Sequence, residues 1–309
     1  MKRIIASITL VVCLCTITSC KSTKFEKNSL INITDDLGNT FSVPESPRVA
    51  SCYASFAECW LIAGGDLIGV TEDAISEHNL DVSKDTAIIG TVKEINIETL
   101  VAAKPDYVIL SADLSAHLSI QNSLDDLGIS YGYFRVDTFE DYKSMMNRFC
   151  TITNRQDLFE KNVTAVENNI EIIKAKIPDK TNKTALLIRG FSTGIKAKSD
   201  DNLAGQILKE FGVSNIADIH PSPLEDLSVE FIIKQDPDYI FMSTMGKQQA
   251  ALDYFKSNIE SNEAWKDLTA VKNNNFIILP KELFHYKPNN RWDKSYEYIA
   301  RIIYPEIFN

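Results

Sequence analysis

The chain has 309 residues, 44% of them hydrophobic, 9% aromatic and 24% charged. That length holds one large domain or two compact ones, and the apolar fraction builds a sizeable core, which excludes a disordered tail and a disulfide-stapled miniprotein. Forty-two acids against 32 Lys and Arg give a formal net charge of -10, without the basic footprint that a nucleic-acid binder needs.

Lys2 and Arg3 precede an apolar run from Ile4 to Leu14, which is too short for a comfortable membrane span and has the order of an export signal. Ile17-Thr18-Ser19-Cys20 follows. The whole resembles a bacterial lipoprotein signal, in which the chain is cut before Cys20 and that cysteine is acylated. Residues 1–19 are then the signal peptide, and residues 20–30 the lipidated cysteine and a polar tether. Loss of Lys2 and Arg3 with the signal moves the charge from -10 to -12 and leaves 290 residues. Cys52, Cys59 and Cys150 remain, an odd number without zinc or redox spacing. They read as small buried hydrophobes, with a Cys52–Cys59 bridge left open.

Alternation over 31–43 around Asp35-Asp36-Leu37-Gly38-Asn39 predicts a hairpin. Strand 48–52, helix 55–63 ended by Gly64-Gly65, strand 67–70, helix 96–103, strand 106–110, helix 115–127, strand 129–134 and helix 138–150 follow. Strands alternating with helices predict an α/β layer with a largely parallel sheet, here a first lobe over 31–153. Residues 154–177 carry Phe159, Val163, Val166, Ile170 and Ile173 at spacings of three and four, one apolar stripe of a single helix. With Asn154 as its cap and Pro178 closing it, this linker would run about 36 Å. A second lobe over 178–309 has strand 184–188, helix 201–210, a short strand near 213–216, helix and strand over 228–242, helix 247–257, strand 275–279 and helix 291–303.

One phrase occurs twice. Residues 96–111, Asn-Ile-Glu-Thr-Leu-Val-Ala-Ala-Lys-Pro-Asp-Tyr-Val-Ile-Leu-Ser, are echoed 132 positions later by 228–243, Ser-Val-Glu-Phe-Ile-Ile-Lys-Gln-Asp-Pro-Asp-Tyr-Ile-Phe-Met-Ser. Five identities at one offset, with the apolar register kept between them, indicate two lobes of similar build. Each copy is a short helix, a Pro that ends it, and a buried strand finishing in Ser. Two such lobes leave a groove at the carboxyl ends of their strands, where open α/β sheets hold ligands.

With its lipobox, the opening hairpin before Pro47-Arg48-Val49, the segment Gly64-Gly65-Asp66-Leu67-Ile68-Gly69-Val70 and the two Glu…Pro-Asp phrases, the chain resembles the substrate-binding lipoproteins of ABC importers. The likeness is to the subgroup whose two lobes are joined by one long helix and which takes iron-siderophores, haem and cobalamin. The resemblance implies an α/β fold of two Rossmann-like three-layer lobes, the class III periplasmic-binding-protein arrangement. It also implies a monomer lipid-anchored outside the bacterial cell membrane, which captures a small molecule in the inter-lobe cleft and delivers it to a transmembrane permease. No chemistry on the ligand and no cofactor are implied, any metal arriving within the ligand. Alternatives are another small molecule on the same fold, or a surface lipoprotein acting mainly as a protein-binding module.

Residues after strand ends are the candidates for the cleft: Tyr53, Ser55 and Tyr133 from the first lobe, and Arg189, Phe191 and Ser243 from the second. Arg189, after a buried strand and before a glycine-bearing turn, suits an anionic group. His285, Tyr286, Arg291 and Trp292, four large polar-capable side chains within eight positions, make 280–292 the densest functional-looking segment. His117 reads as helix surface or cap. His78, His117, His220 and His285 are scattered, which argues against a metal site built by the protein, and no nucleophile elbow points to catalysis. Family members dock on their permease through one surface carboxylate per lobe. Glu98 and Glu230 match that motif, each at a helix start where an acid is favoured. Reversing both charges is expected to abolish uptake while ligand affinity stays intact, and normal uptake by the double variant would remove the assignment.

Overall fold

The computed structural model describes residues 30–178, 181–219 and 228–308. Cys20, the signal peptide and nearly all of the tether lie outside the described residues, as does His220. The fourteen strands described are β1 Leu30–Thr34, β2 Thr40–Pro44, β3 Val49–Ser51, β4 Leu67–Val70, β5 Ala87–Ile88, β6 Gly90–Thr91, β7 Glu94–Ile95, β8 Tyr107–Ser111, β9 Ser130–Phe134, β10 Thr184–Phe191, β11 Gly194–Ala197, β12 Ser214–Asn215, β13 Tyr239–Thr244 and β14 Phe276–Ile278. β1 and β2 form the opening hairpin, with Leu30 opposite Pro44.

The first large sheet has the order β5-β4-β3-β8-β9 and is parallel throughout. Its central strands are buried on both faces, and alternate residues serve different cores. Val49, Tyr107 and Ile109 pack towards the helices Ala54–Ile62 and Phe139–Ile152. Ala50, Val108 and Leu110 pack on the other face, with Leu100 and Leu124 of the helices Ile97–Ala102 and Gln121–Asp126. The period of two thus produces a three-layer lobe. The second sheet, β11-β10-β13-β14 with β12 beside the start of β10, is built alike. Ala185, Leu187 and Phe241 face one core, and Leu186, Ile188, Ile240 and Met242 the other.

The repeated phrase has one mechanical role in both lobes. Lys104 and Asp236, each just before its Pro, take left-handed backbone at φ 55 and 44 and so end their helices. The Asp after each Pro then pins the neighbouring strand: Asp106 Oδ2 accepts from Arg48 N at 2.8 Å, and Asp238 Oδ2 from Thr184 N at 2.8 Å. A charged acceptor on an otherwise open backbone N–H contributes about 1.5–3 kcal/mol.

Between the lobes, helix runs from Gln156 to Lys174 with one π-helical turn, Glu160–Thr164. These 19 residues give about 28 Å at 1.5 Å per residue, shorter than the sequence spacing predicts. Asn154 is no cap: it takes φ 54 and makes the left-handed break after the helix Phe139–Ile152. Val163, Val166, Ile170 and Ile173 are buried as the stripe requires. They enter the same cluster as the inner faces of both sheets and the long C-terminal helix, Trp292–Ile303. Within the π turn, Asn162 Nδ2 donates to Leu158 O at 3.0 Å, and Tyr142 Oη donates to Asn162 O at 3.1 Å.

The helix predicted over 115–127 is two short ones, Ser115–Ser119 and Gln121–Asp126. The turn predicted after Ile188 is instead β-structure: β10 continues through Arg189 to Phe191 and folds back on β11.

Candidate functional site

The carboxyl ends of β3, β10 and β13 and the segment after β14 enclose a cavity of about 220 Å³ between the lobes. The first lobe supplies Tyr53, Val136 and Asp137. The second supplies Arg189, Lys198, Asp201 to Leu203, Met245, Phe284 to Pro288, and Trp292. Drug-sized ligand pockets span roughly 300–1,000 Å³, so a bulky ligand needs these walls to part.

Each cavity group is held by its neighbours. Tyr53 follows β3 and packs edge-on against Phe56, 4.7 Å between ring centres, with His117 6.5 Å away on another side. Burial and the nearby acids Asp73, Asp113 and Asp137 push its phenol up to about 12, so it faces the cavity as a neutral hydroxyl. His117 is not helix surface. It is fully buried, accepting from Ser111 N at Nδ1 (2.9 Å) with Nε2 3.1 Å from Val92 O. Burial lowers its pKa to about 4.

The cations of the cavity are not equivalent. Lys198 pairs with Asp201 at 2.9 Å, and Lys287 reaches across the lobes to Asp137 at 3.1 Å. Arg189 makes no ion pair among the described residues, and its Nε is buried without a hydrogen-bond partner. Burial draws its pKa below the usual arginine value, against the pull of Asp201, and it stays charged at neutral pH. The indole Nε1 of Trp292 is likewise buried without a partner. A half-buried guanidinium whose Nε lacks a partner is stabilised when an acceptor meets it. His285 beside it is held neutral: burial first, then Lys281 and Arg189, lower its pKa to about 4.

Of the residues expected in the cleft, Tyr53, Arg189, His285, Tyr286 and Trp292 come together around this cavity. The others do not line it. Tyr133 is fully buried in the first-lobe core, its hydroxyl donating to His117 O at 3.2 Å, because β9 turns that face inward. Ser243 is buried at the end of β13, and Phe191 lies at the tip of the β10–β11 hairpin, opposite Gly194. Ser55 sits inside the helix Ala54–Ile62, where its Oγ accepts from Lys287 N at 3.4 Å. Arg291 is turned away into a bidentate pair with Glu58, Nη1 to Oε1 at 2.6 Å and Nη2 to Oε2 at 3.3 Å. Asp137, Lys198, Asp201 and Asn202 complete the polar lining. Asn202 and Asp201 precede the helix Leu203–Glu210, and an N-cap pattern was the available signal for them.

Glu98 and Glu230 are both exposed, each the second residue of its helix, after the caps Asn96 and Ser228. Neither makes an ion pair among the described residues. Cys52, Cys59 and Cys150 are buried and unpaired. Among the described residues no three His, Cys, Asp or Glu side chains gather as a metal site, and no helix is long and apolar enough to cross a membrane.

Comparison with known proteins gives a consistent picture. The family described as periplasmic binding protein matches residues 49–283. The Bacillus subtilis protein YhfQ, named as an ABC transporter substrate-binding lipoprotein, is 28% identical over 294 residues, covering 88% of this chain and 89% of its own. The Fe(3+)-citrate-binding protein YfmC of Bacillus subtilis is 23% identical over 316 residues, covering 99% and 96%. Among solved structures, Staphylococcus aureus IsdE complexed with haem superposes with a TM-score of 0.69 at 18% identity, covering 84% of this chain and 99% of that one.

The buried neutral histidine has a measurable consequence. His285 titrates near its ordinary value of 6.5 when unfolded and at about 4 when folded. Between those values the unfolded chain carries the extra proton, so stability falls as pH drops, by about 1.4 kcal/mol per pH unit for each such group. Urea unfolding between pH 7 and 4 is expected to show this slope from His285 and His117 together, with His78, whose pKa burial also lowers, adding in the same direction. His285→Asn is expected to remove one proton's worth, and an unchanged slope would mean that His285 is charged or solvated in the fold.

Proposed function

The chain belongs to the periplasmic binding protein family, and from that premise we propose that it captures a solute in the inter-lobe cavity and hands it to an ABC permease. Its fold is the class III arrangement of that family. The ligand class we favour is an anionic iron chelate, of the siderophore, citrate or haem kind, with a corrinoid as the outlying member. Arg189 carries this reading: it lines the cavity, makes no ion pair among the described residues and has an Nε without a partner, so an anionic chelate supplies its counter-charge. The hydroxyls of Tyr53 and Tyr286 and the ring of Trp292 add flat, polar-tipped surface for a conjugated or oxygen-rich ligand. YfmC and IsdE, by their names, bind ferric citrate and take up haem, which supports the same range. No reaction on the ligand is part of this reading.

Glu98 and Glu230 would dock on the permease. Their placement supports this: the same position of the same repeated unit, one per lobe, exposed and without an ion pair among the described residues. Acylated Cys20 would tether the monomer to the outer face of the cell membrane. A Cys20→Ser chain is expected to leave the membrane fraction for the soluble one, and retention on the membrane would show another anchor.

The protein purified from its own host decides the ligand through its absorption spectrum and the mass of any bound molecule. A Soret band means haem, and a visible charge-transfer band an iron chelate. Arg189→Gln is expected to weaken an anionic ligand by roughly 10–100-fold, the loss of one charge-assisted bond, with little change in the unfolding midpoint. Affinities within twofold of wild type for both Arg189→Gln and Tyr286→Phe would place the ligand elsewhere.

A further inference from the structure

The segment after β14 starts on the second lobe, with Leu279 N donating to Met242 O at 2.8 Å and Lys281 Nζ to Gly246 O, but from residue 286 its side-chain hydrogen bonds lead elsewhere. Tyr286 Oη donates to Glu77 Oε2 at 2.9 Å, and its ring lies 4.3 Å from that of His78. Lys287 Nζ meets Asp137 at 3.1 Å. Asn290 Nδ2 donates to Asn162 Oδ1 of the linker at 3.2 Å. At the centre, Asn289 is fully buried in left-handed backbone, φ 56. Its Nδ2 donates to Ser55 O at 3.0 Å and to Glu58 Oε2 at 2.7 Å, and its Oδ1 accepts from Cys59 Sγ at 3.0 Å. Glu58 also takes both nitrogens of Arg291. Every side-chain hydrogen bond described for residues 286–291 ends on the first lobe or the linker.

We infer that Glu58, Asn289 and Arg291 are positioning residues that fasten the ligand-facing segment 284–288 to the first lobe, so that the segment moves with that lobe. The inference rests on the cavity being the ligand site. The cluster resists partial opening because its partners are shared around a fully buried Asn289: pulling Asn289 out takes one donor from Glu58 and removes the side-chain partner of Ser55 O and of the Cys59 thiol. Arg291 Nε alone of the group is buried without a hydrogen-bond partner. The cavity therefore opens along its other wall, the one carrying Arg189, Lys198, Asp201 and Met245. Ligand meets Tyr53, His285 and Tyr286 as a preassembled surface, and Arg189 arrives as the closing contact.

Hydrogen exchange read by mass spectrometry on the mature chain tests this. Asn289→Gly keeps the left-handed backbone and deletes the side chain, and Glu58→Ala removes the shared acceptor. In both, peptides spanning 284–291 are expected to exchange about tenfold faster, with β10 and β13 unchanged. Glu58→Gln still accepts from Asn289 and is expected to show a rise of about threefold or less. Unchanged exchange over 284–291 in Asn289→Gly, or a rise shared equally by β10 and β13 in Glu58→Gln, overturns the inference. If Asn289→Gly loosens the whole chain, Glu58→Ala decides: a rise confined to 284–291 supports the inference, and unchanged exchange there overturns it. Ferric citrate titrated against the same variants, followed by Trp fluorescence, separates this from the ligand reading. A clamp that holds in exchange while no tested chelate binds leaves the positioning intact and removes the iron-chelate proposal. Where ferric citrate does bind, Asn289→Gly is expected to raise its dissociation rate, and an unaltered rate counts against the inference.

Discussion

A single apolar cluster passes from the inner face of the first sheet, through the stripe of the linker helix and the helix Trp292–Ile303, to the inner face of the second sheet. Close-packed interiors deform little without losing contacts, so the back of the molecule acts as a fixed beam. Phe149, Val163, Tyr296 and Ile299 cannot separate without exposing surface worth about 1.5–3 kcal/mol apiece. Movement is left to the opposite edge, where the strands end. The geometry of the cavity, and the neutrality of His285 in so far as it rests on Arg189 of the facing wall, depend on how the two lobes are held.

On that frame the electrostatics of the cavity are selective by subtraction. Two of its lysines are already answered by carboxylates of the protein, and burial keeps His285 and Tyr53 uncharged. What remains is one guanidinium, in surroundings poorer in water than a surface arginine has. A half-buried charge so placed attracts an anion more strongly than an exposed lysine does, because less water screens it.

The frame was legible because its signals are local and periodic. Alternation places the strands, the spacing of Val163, Val166, Ile170 and Ile173 places the linker, and the echo of 96–111 in 228–243 reveals the second lobe. The site was legible in part. Arg189 and the aromatic residues of 284–292 could be named because strand ends face the groove. Whether a given residue points in or out could not be read, since one step along a strand inverts it. Tyr133 fell inward by that rule. Arg291 was lost to Glu58, a partner 233 positions away, which no short-range pattern announces. Likewise, nothing in the neighbours of His117 shows that its ring will bridge Ser111 and Val92. The linker came out shorter at both ends: the left-handed turn at Asn154 is a tertiary choice, open to Asn but not dictated by it, and the helix stops at Lys174 ahead of Pro178.

The three cysteines were set aside as filler, and burial raises all their thiol pKa values, that of Cys150 to about 11. Thiols so protonated and enclosed are inert to alkylating reagents until the fold admits them. Their surroundings differ: Cys59 bonds Asn289 at the seam between lobes and shares the inner cluster with Cys150, whereas Cys52 lies in the outer cluster of the first lobe. The chain therefore carries a native stopwatch. The rate at which Cys59 is labelled relative to Cys52 distinguishes a parting of the seam from a melting of the lobe, without any introduced probe.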